Sequence, residues 1–376
     1  MFVRAVRRWL APLAGLLLGL FSYRPAQHEA RALAVLSRLA AKPGETPSLV
    51  RLTPSGTTQR GDLVLGENGR SFAARLYVPP GSVDRCLVVA HGVHYKGIDE
   101  PRLTRFAEAL ASTGVVVLTP ELRDLADYHI TRSGADVLAD ATRYLSTRCR
   151  DADHGKVGLL GFSFAGGLSL LAALDPSVEA HLAFVASVGG YHDLSRVLRF
   201  LLTNRVETLH GPEPRAAHEY GLVVLLYQNL DALVPEEDRA TMQAAVRAWL
   251  HEDRKSAWTF ASRRTTAAAE SLFVRITQGQ AGFYRPALEE RLSHAANELR
   301  ALSPRGRLSQ LQVPVYLLHG SGDSVIPPEE TEFADRELGS RPHVALVTPL
   351  IEHVELSSAP ALADAAKLVD FISKLL

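Results

Sequence analysis

The stretch that most limits what this chain can fold into is Lys156-Val157-Gly158-Leu159-Leu160-Gly161-Phe162-Ser163-Phe164-Ala165-Gly166. A short apolar run of strand length ends in residues with little side chain, and a second run with helical spacing, 164–174, begins at once. The pattern is a buried strand turning directly into a helix, with a serine at the apex. Small residues are needed there because the backbone at the apex is strained and its neighbours crowd it. Gly161 lies two residues before Ser163, Ala165 two after, and Gly166 follows. Such a turn presents a hydroxyl at the carboxyl end of a sheet and aims the next backbone N–H groups at the same point. Taken alone the pattern is common, and the plain alternative is a strand–helix turn that happens to carry serine.

The rest of the chain supplies a sheet for that turn. Apolar strands read at Cys86–Ala90, Val115–Leu118, Val157–Leu160, Leu182–Ser187, Val313–Leu318 and Val344–Val347. Helical patterns lie between several of them, at Arg102–Ser112, Ala135–Leu145 and Phe164–Leu174, so βαβ units and a mostly parallel α/β sheet are expected. Before them, 72–78 reads as a half-exposed strand with Phe72, Ala74, Leu76 and Val78 on one face, stopped by Pro79-Pro80. Residues 27–42 read as a helical approach.

Two further groups stand just beyond strands, in order. Asp323 follows the strand ending in His319-Gly320, and His353 follows the strand at 343–347. Strand ends of a parallel sheet share one edge, where ligands bind. The order Ser163, Asp323, His353 is the one used on α/β-hydrolase sheets and differs from the orders of chymotrypsin and subtilisin. On these residues the chain resembles the α/β-hydrolase superfamily, in its dienelactone-hydrolase-like and serine-esterase branches, over about residues 50–195 and 310–376. The resemblance implies Ser163 as nucleophile, Asp323 as triad acid and His353 as general base. The strand Leu87–Ala90 running into His91-Gly92-Val93-His94 is similar to the family's H-G segment, which implies oxyanion-hole N–H groups from Val93 and Phe164. Gly161, Ala165 and Gly166 would form the nucleophile elbow, with Ala165 where the family usually has glycine. Dienelactone hydrolases use cysteine as nucleophile, so Ser163 argues against that activity. The resemblance implies hydrolysis of a small-molecule carboxylic ester through an acyl-enzyme. Acyl transfer from the same acyl-serine and a silent binding protein of this fold are the alternatives.

Other candidates were weighed on their residues. Glu352 adjoins His353 and should point away from it, and Asp193 is a reserve acid. His319 is read as ordering its loop. His91 and His94, spaced i, i+3, lack a third ligand, so no metal site is expected. Pro120–His129 follows the fourth strand and could line the site, but its charges read as a solvated loop. No dinucleotide or phosphate-binding glycine motif occurs, and no cofactor is expected.

Composition narrows the field further. The 376 residues carry 41 basic and 41 acidic side chains, with no long run of either sign, so a nucleic-acid partner has no basic face to bind it. Two cysteines cannot make a disulfide framework. Cys86 and Cys149 read as structural thiols, with a bridge between them left open. Arg4, Arg7 and Arg8 precede a thirteen-residue apolar core, 9–21, short for a membrane span. Residues 1–25 are therefore expected to be a secretory signal, an anchor or an interfacial helix, with the catalytic part extracytoplasmic, and a helix packed on the domain is the alternative.

The strand–helix alternation stops between 194 and 311. Leu194, Val197, Leu198, Leu201 and Leu202 share a helical face, and Pro235-Glu236-Glu237-Asp238 reads as a helix start. The segment is too long for a loop and is expected to be a helical cap over the catalytic edge. The expected layout is a core over 26–193 and 312–376, interrupted by a cap over 194–311.

Overall fold

A computed structural model describes residues 24–41, 58–67, 70–263, 265–352, 355–356 and 362–376. Residues 1–23 of the expected signal or anchor segment, and His353, lie outside them.

Eight strands form one sheet: β1 (Gln59–Glu67), β2 (Arg70–Val78), β3 (Arg85–Ala90), β4 (Val115–Pro120), β5 (Val157–Phe162), β6 (Leu182–Val188), β7 (Val315–Gly320) and β8 (His343–Thr348). Their spatial order is β1-β2-β4-β3-β5-β6-β7-β8. β2 is antiparallel to β1 and β4, and every other pairing is parallel. This is the strand order of the α/β-hydrolase fold. Central strands such as β4 are buried on both faces, which is why they read as unbroken apolar runs. β1 is different. Its Gln59, Arg60 and Asp62 are exposed, and a charged edge strand discourages pairing with other chains.

β2 is not half-exposed as its alternation suggests. Phe72 and Ala74 face one core, while Tyr77 and Arg75 are buried on the other side. The Arg75 guanidinium can be buried because Asp62 and the Ile98 carbonyl accept its N–H groups, the latter at 3.1 Å.

Helices cover both faces. α1 (Arg24–Ala40), α2 (Pro101–Ala111) and a C-terminal helix pack on one side. α3 (Arg132–Arg148) and α4 (Phe164–Ala173) pack on the other. Between β6 and β7 the chain runs through α5 (Leu194–Thr203), α6 (Glu219–Gln228), α7 (Glu236–Leu250), α8 (Arg254–Ala261), α9 (Ala267–Thr277), α10 (Arg285–His294) and α11 (Ala296–Ala301). A short hairpin, Arg205–Thr208 with Gly211–Pro214, lies within this stretch, where only helices were expected. After β7 come α12 (Glu329–Leu338), β8 and the C-terminal helix α13 (Leu362–Ser373).

The two cysteines are joined. Cys86 near the start of β3 and Cys149 capping α3 form a disulfide with a Cα–Cα distance of 6.3 Å. The reading as two thiols is corrected here. Sequence spacing does not reveal that α3 ends against the strand where β3 begins.

Candidate active site

The apex serine owes its place to three elements that meet at the end of β5. Ser163 adopts φ 54° and ψ −132°, a conformation rare outside glycine, which costs on the order of 1–3 kcal/mol. Its own N–H donates to the Val188 carbonyl at 2.8 Å, which ties the turn to the end of β6. The turn leaves no room for side chains. A Cβ on Gly161 would meet the Ala165 carbonyl oxygen at 2.2 Å, and one on Gly166 would meet Ser187 Oγ at 2.4 Å. Ala165 itself is fully buried and its methyl is accommodated, so the departure from glycine is absorbed.

β3 brings the second component beside it. Ala90 pairs with Gly161 across the ladder, and a Cβ on Gly92 would lie 3.1 Å from Ser163 Cβ and 3.8 Å from its Oγ. The segment leading to Val93 therefore passes directly over the serine. Among the described residues, nothing accepts a hydrogen bond from the N–H of Val93 or of Phe164, the first residue of α4. Two N–H groups adjoining one hydroxyl can receive an oxyanion.

Asp323 follows β7 on the same edge. It is buried, and its Oδ1 accepts from the N–H groups of Val325 at 2.8 Å and Ile326 at 3.0 Å, which fixes the carboxylate in its turn. His319 braces that turn: its Nδ1 meets Thr331 Oγ1 at 2.8 Å and its Nε2 meets the Ile326 carbonyl at 2.9 Å. One ring nitrogen is engaged by α12 and the other by the loop, where Nε2 also lies 3.4 Å from Asp323 Oδ2. Two short strands, Ile351–Glu352 and Glu355–Leu356, flank His353, and Ile351 lines the same cavity as Ser163.

Asp193 is committed elsewhere. It caps α5 by accepting from the Ser195 N–H at 2.9 Å and pairs with Arg305 at 2.6 Å. Burial acts to raise its pKa, but the bonds from Ser195 and Arg305 hold it below the usual carboxylate range.

His91 is a structural residue of this edge. Its Nε2 accepts from the Leu122 N–H at 3.0 Å, so Nδ1 carries the proton and donates to the Gly92 carbonyl at 2.8 Å. Burial pushes the imidazole below its ordinary value, against the pull of Glu121. The folded state keeps this ring neutral while the unfolded chain takes up a proton below about pH 6.5. Stability from this group is therefore complete above that pH and declines as pH falls below it. Denaturant unfolding at pH 7.5 and 5.5 should show a larger loss in the wild type than in His91→Gln. Equal losses would remove His91 from the account.

The segment 120–129 is not simply a solvated loop. Leu122 and Leu125 are buried, and Glu121 accepts from the Ile98 N–H at 2.9 Å. Asp127 accepts from Tyr227 Oη at 2.9 Å and from Arg247 at 2.8 Å, binding the segment to α6 and α7. One of its charges, Asp127, thus holds the inserted helices to the segment. Tyr95 stacks between His94 and His251, with centroids 4.8 and 4.3 Å away, and makes a second link from the β3 loop to the end of α7.

These elements enclose a cavity of about 880 Å³ with Ser163 in its wall. Leu198 and Leu201 from α5, and Tyr220 and Val224 from α6, line it together with the serine. The apolar face of α5 was visible in the sequence. Tyr128, buried with φ 65°, also lines the cavity, as the position of its segment after a strand allowed. Among the described residues no cluster of metal-ligating side chains occurs, and no helix is long and apolar enough to cross a membrane.

No protein-family model matches the sequence, and no curated protein matches it. Solved structures are similar in shape. An esterase from Pyrobaculum calidifontis is 16% identical, with 93% of this chain and 89% of that one covered and a TM-score of 0.47. An acylaminoacyl peptidase from Pyrococcus horikoshii is 12% identical, with 78% and 37% covered and a TM-score of 0.45. Dipeptidyl peptidase 4 from Porphyromonas gingivalis is 12% identical, with 85% and 36% covered and a TM-score of 0.48. The chain thus spans well under half the length of the two peptidases.

Proposed function

We propose that this α/β-hydrolase-fold protein is a serine hydrolase of carboxylic esters, with Ser163 as nucleophile. The observation that carries the reading is the strained turn itself. It holds Ser163 against the Gly92–Val93 backbone, in the wall of a cavity, with two N–H groups nearby that donate to nothing among the described residues. Strain kept at one serine while its neighbours are pared to glycine and alanine indicates a position maintained for chemistry.

A serine hydroxyl is a poor nucleophile at its free pKa and needs a base. In this reading His353 takes the Ser163 proton as the hydroxyl attacks the ester carbonyl. Asp323 orients the imidazole and stabilises the imidazolium without taking the proton. The Val93 and Phe164 N–H groups stabilise the developing oxyanion, a role in which one donor is worth roughly 10²–10³ in rate. The imidazolium returns its proton to the leaving alcohol. Water, activated by the same histidine, then cleaves the acyl-enzyme.

The test is labelling by a fluorophosphonate together with turnover of matched ester and amide substrates, with and without an added alcohol acceptor. Labelling at Ser163 and ester turnover to the free acid support the reading. Products carrying the acyl group on the added alcohol would move it to acyl transfer, and an unlabelled, inactive folded protein would sink it.

The Cys86–Cys149 bridge supports a second element of the proposal, an oxidising compartment outside the cytoplasm, since such bonds rarely persist among cytosolic thiols. Denatured protein taken directly from cells should react with no maleimide until it is reduced. Two reactive thiols at that stage would argue for the cytosol.

A further inference from the structure

The cavity does not end beneath the inserted helices. Past the elbow it continues onto the opposite face of the sheet, between the strands and the layer formed by α1, α2 and α13. The alternation of β5 shows the crossing. Leu159 belongs to the core shared with α3 and α4, while Leu160 belongs to the core shared with α1, α2 and α13, and it is Leu160 that lines the cavity. Phe106 of α2 meets Phe162 edge-on at 5.0 Å, and Phe162 immediately precedes the serine. Leu36 of α1, Leu318 of β7 and Leu368 of α13 complete this arm. These described wall positions are apolar, and Arg105 of α2 lines the cavity as well. The Arg105 guanidinium donates to the carbonyls of Arg38 and Leu39 at 3.0 and 2.9 Å.

Interiors are normally close-packed, with few voids larger than a water molecule. An apolar void continuous with a strained serine is therefore a feature to be filled. Its whole volume lies in the range of pockets that bury a small organic ligand. On the side of the inserted helices the lining is mixed, with His94, Lys96, His218 and Gln228 among apolar residues such as Leu198 and Val224. The arm is thus the more uniformly apolar of the two sides, which suits a hydrocarbon chain. We infer that the arm behind Ser163 takes an aliphatic acyl chain, which makes the substrate class a fatty acyl ester whose alcohol part faces the mixed side. The inference rests on the esterase reading above.

Each methylene entering such an arm should raise kcat/KM roughly twofold to fourfold until the arm is full. The experiment measures kcat/KM on p-nitrophenyl esters from acetate to palmitate for the wild type, Leu36→Trp and Leu368→Trp. Leu36 lies on a half-buried face of α1, so its variant carries the comparison if Leu368→Trp does not fold. Binding of decanoate to Ser163→Ala, with and without Leu36→Trp, is measured alongside. A rise with chain length that stops earlier in the tryptophan variants is expected, with decanoate binding weakened at least tenfold by Leu36→Trp. Acetate as the best ester, or a profile the tryptophans leave unchanged, would overturn the acyl arm while leaving the esterase reading in place. No turnover of any ester and no labelling of Ser163 would overturn that reading. The arm would then stand or fall on decanoate binding, and its absence would overturn the arm as well.

Discussion

Ser163→Ala is expected to abolish ester turnover, a loss on the order of 10⁶-fold in kcat, by the scale seen when such a nucleophile is removed. The fold should survive, because alanine fits wherever serine does and the Ser163 N–H bond to Val188 is retained. Ser163→Gly separates the two costs held at this residue. It removes the hydroxyl and also relieves the positive φ, so it should be inactive yet more stable than Ser163→Ala by up to about 1 kcal/mol. Paired measurements of ester turnover and denaturant midpoint check both statements. Substantial turnover in either variant would mean that another residue attacks the substrate. A glycine variant less stable than the alanine one would mean that the turn is not strained.

The second large effect concerns stability. The Cys86–Cys149 bridge closes a loop with a sequence separation of 63, and cross-links of that span restrict the unfolded chain enough to stabilise by about 4 kcal/mol. Replacing both cysteines by alanine should cost about that much, and treating the wild type with reductant should cost a similar amount. Both effects are read from urea unfolding, at a pH above 7 where the His91 contribution is complete. A change below about 1 kcal/mol from both treatments would show that the bond does little for the fold. Because the bridge joins β3 to α3, its loss should also loosen the Gly92–Val93 segment. Turnover at elevated temperature should then decline before global unfolding.

Much of the sheet was legible because parallel central strands are buried on both faces. Cys86–Ala90 and Leu182–Ser187 read as apolar runs and could be little else. The turn at 161–166 was legible for a related reason, since the crowding that forbids side chains is written directly in glycine and alanine. What escaped was whatever depends on a partner far along the chain. β1 is polar and exposed, so nothing in its own residues marks it as a strand until β2 lies beside it. The burial of Arg75 and Tyr77 comes from a helix and a carboxylate elsewhere in sequence. The acidic loop at 120–129 looked solvated because the cation that neutralises Asp127 is Arg247, 120 residues away. Cys149 likewise meets Cys86 only after α3 has packed. At the site, Ser163 and Asp323 stand where their strands end, which a sequence can indicate. The cavity wall on the α1 and α13 side unites residues from opposite ends of the chain, and no local pattern announces it.

The ladder between β3 and β5 has a consequence for how such a protein can change. Ala90 and Gly161 are neighbours in register, so the backbone on either side of Ser163 is spaced by main-chain bonds within the sheet, independent of the helices between β6 and β7. Those helices contribute walls but share no strand pairing with the elbow. Rate and taste are thereby placed on separate structural budgets. Exchanging the inserted helices, or shuffling their lining, should redirect which molecules are accepted while leaving the chemical step near its original speed.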